Sequence, residues 1–274
     1  MRLTTKATTE CANTLLNDER YTNGDIVKVG AQSQWGNSIR SRLTPSAGKQ
    51  HIQAFAARTA ASLDPNERIL DAGAGDSPYR HLFSHCVYEA TDVCMRAERT
   101  YDCVTMKCDI SSIPVESERY NAVLCTQVLE HVPDPSKALA ELNRVLVPGG
   151  TLWLSAPFYF EEHEQPYDFF RYTKFGLKHL LEQAGFEECQ IEWLGGYYGT
   201  LSHQLNLARH HLSLSPKDYG GGIIGVISSL LAFLLKPLFL LLAMVFSALD
   251  HHHRFIKKGH CIDYCAVARK PTPK

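Results

Sequence analysis

From residue 46 to about residue 200, short unbroken apolar runs alternate with stretches whose apolar positions recur at helical spacing. Runs at 68–71, 87–91, 103–108, 122–126, 151–155, 190–194 and 262–268 read as strands. Most lack the in–out alternation of a half-exposed strand, which is the pattern of a parallel sheet covered on both faces. An alanine-rich segment, 46–62, favours helix and runs into the turn Asp64-Pro65-Asn66. The spacing predicts a second helix over 135–146, with Ala138, Leu139, Leu142, Val145 and Leu146 on one face. Asp134 can cap it, and Pro135 fits its first position, where the N–H is unpaired anyway. Pro148-Gly149-Gly150 ends it and turns the chain into the next strand. A third helix, 174–184, has Thr173 as its cap, buries Leu177, Leu180 and Leu181, and stops at Gly185. Strand, helix and strand joined this tightly make a βαβ unit.

The stretch 223–249 follows a different rule. It is apolar almost throughout, interrupted by Lys236-Pro237 and a few small residues, and is long enough to span a bilayer. If 262–268 is the final strand of the sheet, the chain must return to that sheet after the apolar stretch. A single crossing would leave the strand on the wrong side, and two crossings need about 40 residues. The segment is therefore expected either as a hairpin bent at Pro237 (223–235 and 238–249) that dips into one leaflet, as a packing surface for another subunit, or as the cover of a lipid cleft. Membrane association is the favoured expectation, with Arg254, Lys257 and Lys258 placed to meet anionic headgroups. A single span would require the last strand to be misplaced.

Candidate chemistry begins with Arg68-Ile69-Leu70-Asp71-Ala72-Gly73-Ala74-Gly75-Asp76, a strand running into a glycine turn. Glycine allows positive φ and close approach of a ligand to the main chain. A following helix would point its unpaired N–H groups at that ligand. A dinucleotide fingerprint needs a third glycine, but Pro78 stands there, and a pyrophosphate has no use for the carboxylate of Asp71. A cationic ligand does. At these residues the chain resembles the class I S-adenosylmethionine-dependent methyltransferases, whose first motif runs Leu-Asp-x-Gly-x-Gly. The resemblance deepens at Gln127-Val128-Leu129-Glu130-His131-Val132-Pro133-Asp134 and Arg144-Val145-Leu146-Val147-Pro148-Gly149-Gly150, in the order and spacing of the type 11-like members. It covers roughly 46–200 and the final strand.

The resemblance implies an α/β fold: a Rossmann-like, doubly wound, seven-stranded sheet with an antiparallel last strand, here with an apolar helical insertion before it. It implies S-adenosyl-L-methionine as cofactor. Ligands in such sheets lie at the carboxyl ends of the strands, so the candidates are the residues that follow them. Asp71, Gly73 and Gly75 follow the first strand, and Asp92 follows the second as acceptor for two ribose hydroxyls. Asp109 and Ile110 follow the third, where the family contacts adenine, and Gln127 follows the fourth, toward the methionine end. Glu130 and His131 read as scaffolding of a short turn, with His131 alternatively facing the substrate.

The loop after the fifth strand, 157–173, is long and mixes aromatic with ionisable residues, which marks it as functional. Its pattern His163-x-x-Pro166-x-Asp168-x-x-Arg171-x-Thr173 resembles a bacterial subgroup of small-molecule methyltransferases, some in polysaccharide and lipopolysaccharide pathways. His163 is the candidate general base. Tyr167, Asp168 and Arg171 are candidate substrate contacts, with Asp168 and Arg171 also able to pair and fix the loop.

Composition narrows the partners. A formal net charge of −1 gives no electrostatic case for nucleic acid. Nine scattered cysteines without a CxxC pair fit reduced thiols in a cytoplasmic setting, not a disulfide framework. Cys261, Cys265, His260 and the run His251-His252-His253 match no common zinc spacing, so no metal is expected from them. The N-terminus shows no basic segment followed by an apolar run, so no signal peptide is expected. The organisation read from these features is an N-terminal extension (1–44), a methyltransferase core (45–200), an apolar insertion (201–260), and a final strand and tail (261–274). The expected activity is methyl transfer to an oxygen of a small-molecule, saccharide or lipid-linked acceptor, with peripheral or monotopic membrane association. Its rivals are a nicotinamide-dependent oxidoreductase and a non-catalytic, membrane-tethered binding module.

Overall fold

A computed structural model describes residues 47–95 and 100–273. The N-terminal extension, with its turn signals Asn23-Gly24 and Gly36-Asn37, lies outside the described residues. Two compact units emerge: Ile52–Glu192 with Tyr264–Lys274, and Trp193–Asp263 with the segment ending at His51.

The first unit is built on a seven-stranded sheet of order β3-β2-β1-β4-β5-β7-β6. Its strands are β1 (Arg68–Ala72), β2 (Val87–Asp92), β3 (Met106–Lys107), β4 (Tyr120–Thr126), β5 (Leu146–Pro157), β6 (Glu187–Leu194) and β7 (Asp263–Arg269). β1 runs parallel to β2 and β4, β2 to β3, and β4 to β5. β7 is antiparallel, and it is tied to β5 where Gly149 N–H donates to the Lys270 carbonyl and Lys270 N–H to that of Gly150. The expected Rossmann-like architecture is the one observed. In the middle of the sheet Ile69, Leu70, Val123, Leu124, Leu152 and Leu154 are sealed from solvent, as continuous apolar runs in a covered sheet should be.

The helices of this unit are the part of α1 (Ala47–Ala61) from Ile52 onward, α2 (Pro135–Val145) and α3 (Lys174–Gln183). Asp134 caps α2 by accepting from Lys137 N–H at 3.0 Å, and Thr173 caps α3 by accepting from Gly176 N–H at 3.1 Å. Both caps fall where the sequence puts them. α2 buries Ala138, Leu139, Leu142 and Val145.

Two local expectations change. Pro148-Gly149-Gly150 does not separate α2 from the next strand, because β5 starts at Leu146, directly after the helix. The glycines instead form a bulge inside β5, where the register with β4 jumps from Tyr120↔Leu146 to Ala122↔Thr151. A Cβ on Gly150 would stand 2.8 Å from the Val147 carbonyl oxygen, so the bulge admits no side chain there. The first glycine turn leads into a single 3-10 turn, Arg80–Phe83, rather than a helix. Ser77 at φ 51, followed by Pro78, diverts the chain before a helix can nucleate.

The second unit is an antiparallel-type pairing of α4 (Tyr197–His211) and α5 (Gly222–His252). α4 is not foreshadowed by the sequence reading, and it runs across residue 200, where the apolar insertion was expected to begin. α5 is one continuous helix with Pro237 inside it, so the expected hairpin bent at Pro237 does not form. A proline removes one i→i−4 bond, but its neighbours supply no turn residue, and long runs of Leu, Ala and Phe sustain helix on both sides. Small residues bring the two helices together. Ser202 Oγ donates to the Ala243 carbonyl at 2.7 Å, and Gly196 N–H donates to Asp250 Oδ2 at 3.1 Å.

Candidate active site

The carboxyl ends of β1, β2, β4 and β5 converge on one edge of the sheet. Gly73, at φ 78, and Ala74 donate their N–H groups to the Thr91 carbonyl at 2.8 and 3.0 Å, which ties the turn after β1 to the end of β2. A Cβ on Gly73 would stand 2.4 Å from Val128 Cγ2, so the turn is pressed against the segment that follows β4. Gly75 N–H donates to Asp92 Oδ2 at 2.9 Å, and Cys94 N–H donates to Asp92 Oδ1 at 2.7 Å. Each carboxylate oxygen has two lone pairs. Asp92 can therefore still accept one further hydrogen bond on each oxygen, as two adjacent hydroxyls require.

Asp71 lies beneath this turn, buried, and accepts from the Tyr88 hydroxyl at 2.6 Å. Burial raises its carboxyl to about 6; the Tyr88 hydrogen bond opposes that rise and the nearby Asp92 carboxylate adds to it. Asp71 is thus a charge held under the glycine turn, not an exposed ligand on its surface. Its partner Tyr88 is not singled out by the sequence reading, because it sits near the start of β2, away from the carboxyl ends of the strands. Asp109 accepts from Ser111 N–H at 2.7 Å, which braces the turn after β3, and Ile110 beside it is buried. Gln127 holds φ 56, a strained value for a side-chain-bearing residue. It is fixed there by its own N–H to the Ser155 carbonyl at 3.0 Å and its Nε2 to Ser155 Oγ at 3.1 Å. Ser155, another residue the sequence reading passes over, thereby locks the ends of β4 and β5 together.

The loop after β5 is stitched to the turn Leu129–His131. Phe169 N–H donates to the Glu130 carbonyl at 2.8 Å, and the buried Tyr172 hydroxyl donates to the Leu129 carbonyl at 2.9 Å. Asp168 and Arg171 form a two-pronged pair at 2.7 and 2.6 Å. Burial alone would raise the Asp168 carboxyl, but the Arg171 guanidinium and the His163 backbone N–H outweigh it and hold it at about 2. Arg171 also donates to the carbonyls of Phe160, Glu161 and Phe170. The pair therefore acts on the loop itself, the second of the roles its pattern suggested, and it positions His163. Tyr167 presents its carbonyl to His131 Nδ1 at 2.7 Å. The rings of His131 and His163 meet edge to face, with centroids 4.8 Å apart. Burial holds the His131 imidazole below its ordinary value, against the opposing pull of the Tyr167 carbonyl and the Glu164 carboxylate.

The cysteines are free thiols among the described residues. Asp71, Gly73, Gly75, Asp92 and Gln127 thus share one edge with His163, while Asp109 and Ile110 stand at its β3 end.

Comparison with known proteins places this architecture. The methyltransferase-domain family matches residues 46–190, more than half of the chain. The chain belongs to that family, as a class I S-adenosylmethionine-dependent methyltransferase domain. It is 30% identical over 96 residues to a probable tRNA methyltransferase 9B of Homo sapiens, covering 33% of this chain and 21% of that protein. It is 34% identical over 47 residues to a ubiquinone biosynthesis O-methyltransferase of Coxiella burnetii, covering 17% of this chain and 20% of that one. The chain thus matches about a fifth of the length of these relatives. Among solved structures, a SAM-dependent methyltransferase from Archaeoglobus fulgidus superposes with TM-score 0.51 at 14% identity, over 84% of this chain and 97% of that one. The Haemonchus contortus phosphoethanolamine N-methyltransferase 2, in complex with S-adenosyl-L-methionine, gives TM-score 0.50 at 14% identity, over 82% and 53%. At such identities the likeness is one of fold.

Proposed function

We propose that this protein transfers the methyl group of S-adenosylmethionine to an oxygen of a small-molecule, saccharide or lipid-linked acceptor at a membrane surface. The observation that carries the donor assignment is the Asp92 carboxylate, anchored by the N–H groups of Gly75 and Cys94 with acceptor capacity left on both oxygens. Asp92 then holds the ribose, Asp109 and Ile110 the adenine, and Gln127 lines the methionine end. The buried charge of Asp71 lies under the turn where a cation would sit, which favours a sulfonium and ammonium over a pyrophosphate. When bound, the donor supplies an electrophilic methyl group; the chain orients the acceptor and excludes water.

His163 is assigned to the acceptor's proton. Its backbone is held by Asp168, and its ring lies against His131 on the loop beside Gln127's edge. Calorimetry on the purified chain should give saturable binding of S-adenosylmethionine and its demethylated product, and none of NAD. Loss of both donor ligands would end the assignment. His163→Ala should leave donor affinity intact and lower turnover about a hundredfold or more; near-wild-type turnover removes His163 from the chemistry.

α5 supports the lipid side of the proposal. At 1.5 Å per residue its length is about 46 Å, and Ile223, Ile227, Leu230, Leu231, Phe233 and Leu234 face outward. A full crossing would place β6 and β7 on opposite faces of the bilayer, which their membership of one sheet forbids. This favours α5 lying in the interface plane, with Arg254, Lys257 and Lys258 toward the headgroups. The net charge of −1 argues for such an acceptor over RNA.

A further inference from the structure

Glu130 and His131 occupy the turn after β4, and His163 lies in the loop after β5. One ligand atom from each falls within 4.8 Å of the other two. We propose that these three residues form a divalent-cation site at the acceptor end of the methyl-transfer site. The inference rests on the proposed function for where the acceptor lies, and it gives His163 a different way of serving the acceptor's proton.

The hydrogen-bond partners decide which nitrogen each imidazole presents. His131 Nδ1 lies 2.7 Å from the Tyr167 carbonyl. A carbonyl only accepts, so Nδ1 carries the proton and Nε2 keeps its lone pair. Nε2 is the atom that stands 3.8 Å from Glu130 Oε1 and 3.9 Å from Glu164 Oε2. His163 Nδ1 lies 3.2 Å from the Glu161 carbonyl and 3.4 Å from Asp168 Oδ2, both acceptors. Arg171 Nη2 is also 3.3 Å from that nitrogen. That Nη2 carries only two hydrogens, and these go to Asp168 Oδ2 at 2.6 Å and to the Glu161 carbonyl at 2.8 Å. Nδ1 of His163 is therefore the protonated nitrogen as well, and its Nε2 is the ligating one. Ring N–H groups held by a carbonyl or a carboxylate are the usual support behind metal-binding histidines.

Bonds of about 2.0–2.2 Å to a transition ion put ligand atoms roughly 3–3.5 Å apart. The present spread, up to 4.8 Å, must contract by about an ångström on binding to reach that range. The Glu130 carboxylate is sealed from solvent, whereas the His131 and His163 side chains retain 17% and 29% of their exposure. The triad is thus closed behind and open in front. Two imidazoles and one carboxylate suit Mn²⁺, Fe²⁺, Co²⁺ or Zn²⁺ better than Ca²⁺, with positions left for an acceptor carrying two adjacent oxygens, such as a vicinal diol. An acceptor hydroxyl bound to the cation has a lowered pKa and releases its proton to solvent. The resulting alkoxide oxygen bonds to the methyl carbon, the C–S bond breaks, and sulfur keeps the pair as a neutral thioether.

The test is metal titration of the purified full-length chain after chelator treatment. The surface run His251-His252-His253 can bind metal on its own, so all three are changed to Gln in every sample. The expected results are one Mn²⁺ or Zn²⁺ bound per chain by calorimetry, and a visible Co²⁺ spectrum of nitrogen–oxygen ligation. His131→Gln and His163→Gln should each weaken binding at least tenfold, with S-adenosylmethionine affinity unchanged as the control for folding. No binding of any of the three ions, or binding indifferent to both variants, overturns the site. Donor binding without metal binding defeats this inference and leaves the proposed function standing. Metal binding without donor binding does the reverse.

Discussion

The centre of β4 and α5 are both runs of apolar residues, and they end in opposite surroundings. In β4, Ala122, Val123, Leu124 and Cys125 are completely buried between the faces of the sheet. In α5, Ile223 and Ile224 keep 81% and 75% of their surface, and Leu234 keeps 66%. Hydrophobicity alone does not choose between these outcomes. A strand with partners on both edges and layers on both faces has its destination supplied by the same chain. A helix that packs on α4 along one side has a stripe left over, and a patch of that extent marks an interaction surface.

The comparison breaks most visibly at the stripe. Ile227, Leu231 and Leu234 lie one and two turns apart on α5, and changing all three to Gln should lower partitioning onto anionic liposomes at least a hundredfold, as about 1.5–3 kcal/mol per buried aliphatic side chain implies. Equal flotation of wild type and variant would show that lipid does not cover this face. Next comes the strand. Leu124→Ala should cost about 3 kcal/mol in urea unfolding, while Leu234→Ala should shift stability without lipid by less than about 0.5 kcal/mol. Similar losses at both positions would erase the contrast.

A third effect, reduced by relaxation of the site, concerns the polar group inside the sheet. The folded chain holds the Asp71 proton up to about 6, above the ordinary value of 3.8. Between those two values the folded state binds more protons than the unfolded one, so stability falls as pH rises through the window. The full penalty above it is up to about 3 kcal/mol, less whatever relaxation of the site recovers. Asp71→Asn should therefore raise the melting temperature at pH 8 relative to wild type and weaken donor binding. In the wild type, donor affinity should rise about tenfold from pH 5 to pH 7 as the carboxylate ionises beneath a cation; a flat profile would remove Asp71 from the donor's surroundings.

Much of the first unit was legible because its signals are local. Asp134 and Thr173 announce their helices within a few residues, and the apolar runs of β1 and β4 are bounded by turn residues. The sequence pattern shortens β5 because a Pro-Gly-Gly run normally stops regular structure, whereas here it makes a bulge within a strand. α4 escaped notice because its buried positions are Gly199, Thr200 and Ser202, which carry no apolar period. Pro237 suggested a break that long runs of helix-forming residues on both sides override.

At the site, residues that directly follow strands were readable from topology. The approach of His131 to His163 was not, since it depends on a loop folding back across the sheet edge. Nor was the burial of Asp71, which depends on Tyr88 in the neighbouring strand. Spacing rules for metal ligands see neighbours in sequence, and these histidines become neighbours only in space.

The order of strands carries one more consequence. β7 is the last strand in the chain, yet it sits between β5 and β6. During synthesis, α5 leaves the ribosome before the strand that fills that gap. The greasy helix is therefore made while β5 and β6 still lack their shared neighbour, so any docking of that helix on a bilayer would precede completion of the sheet.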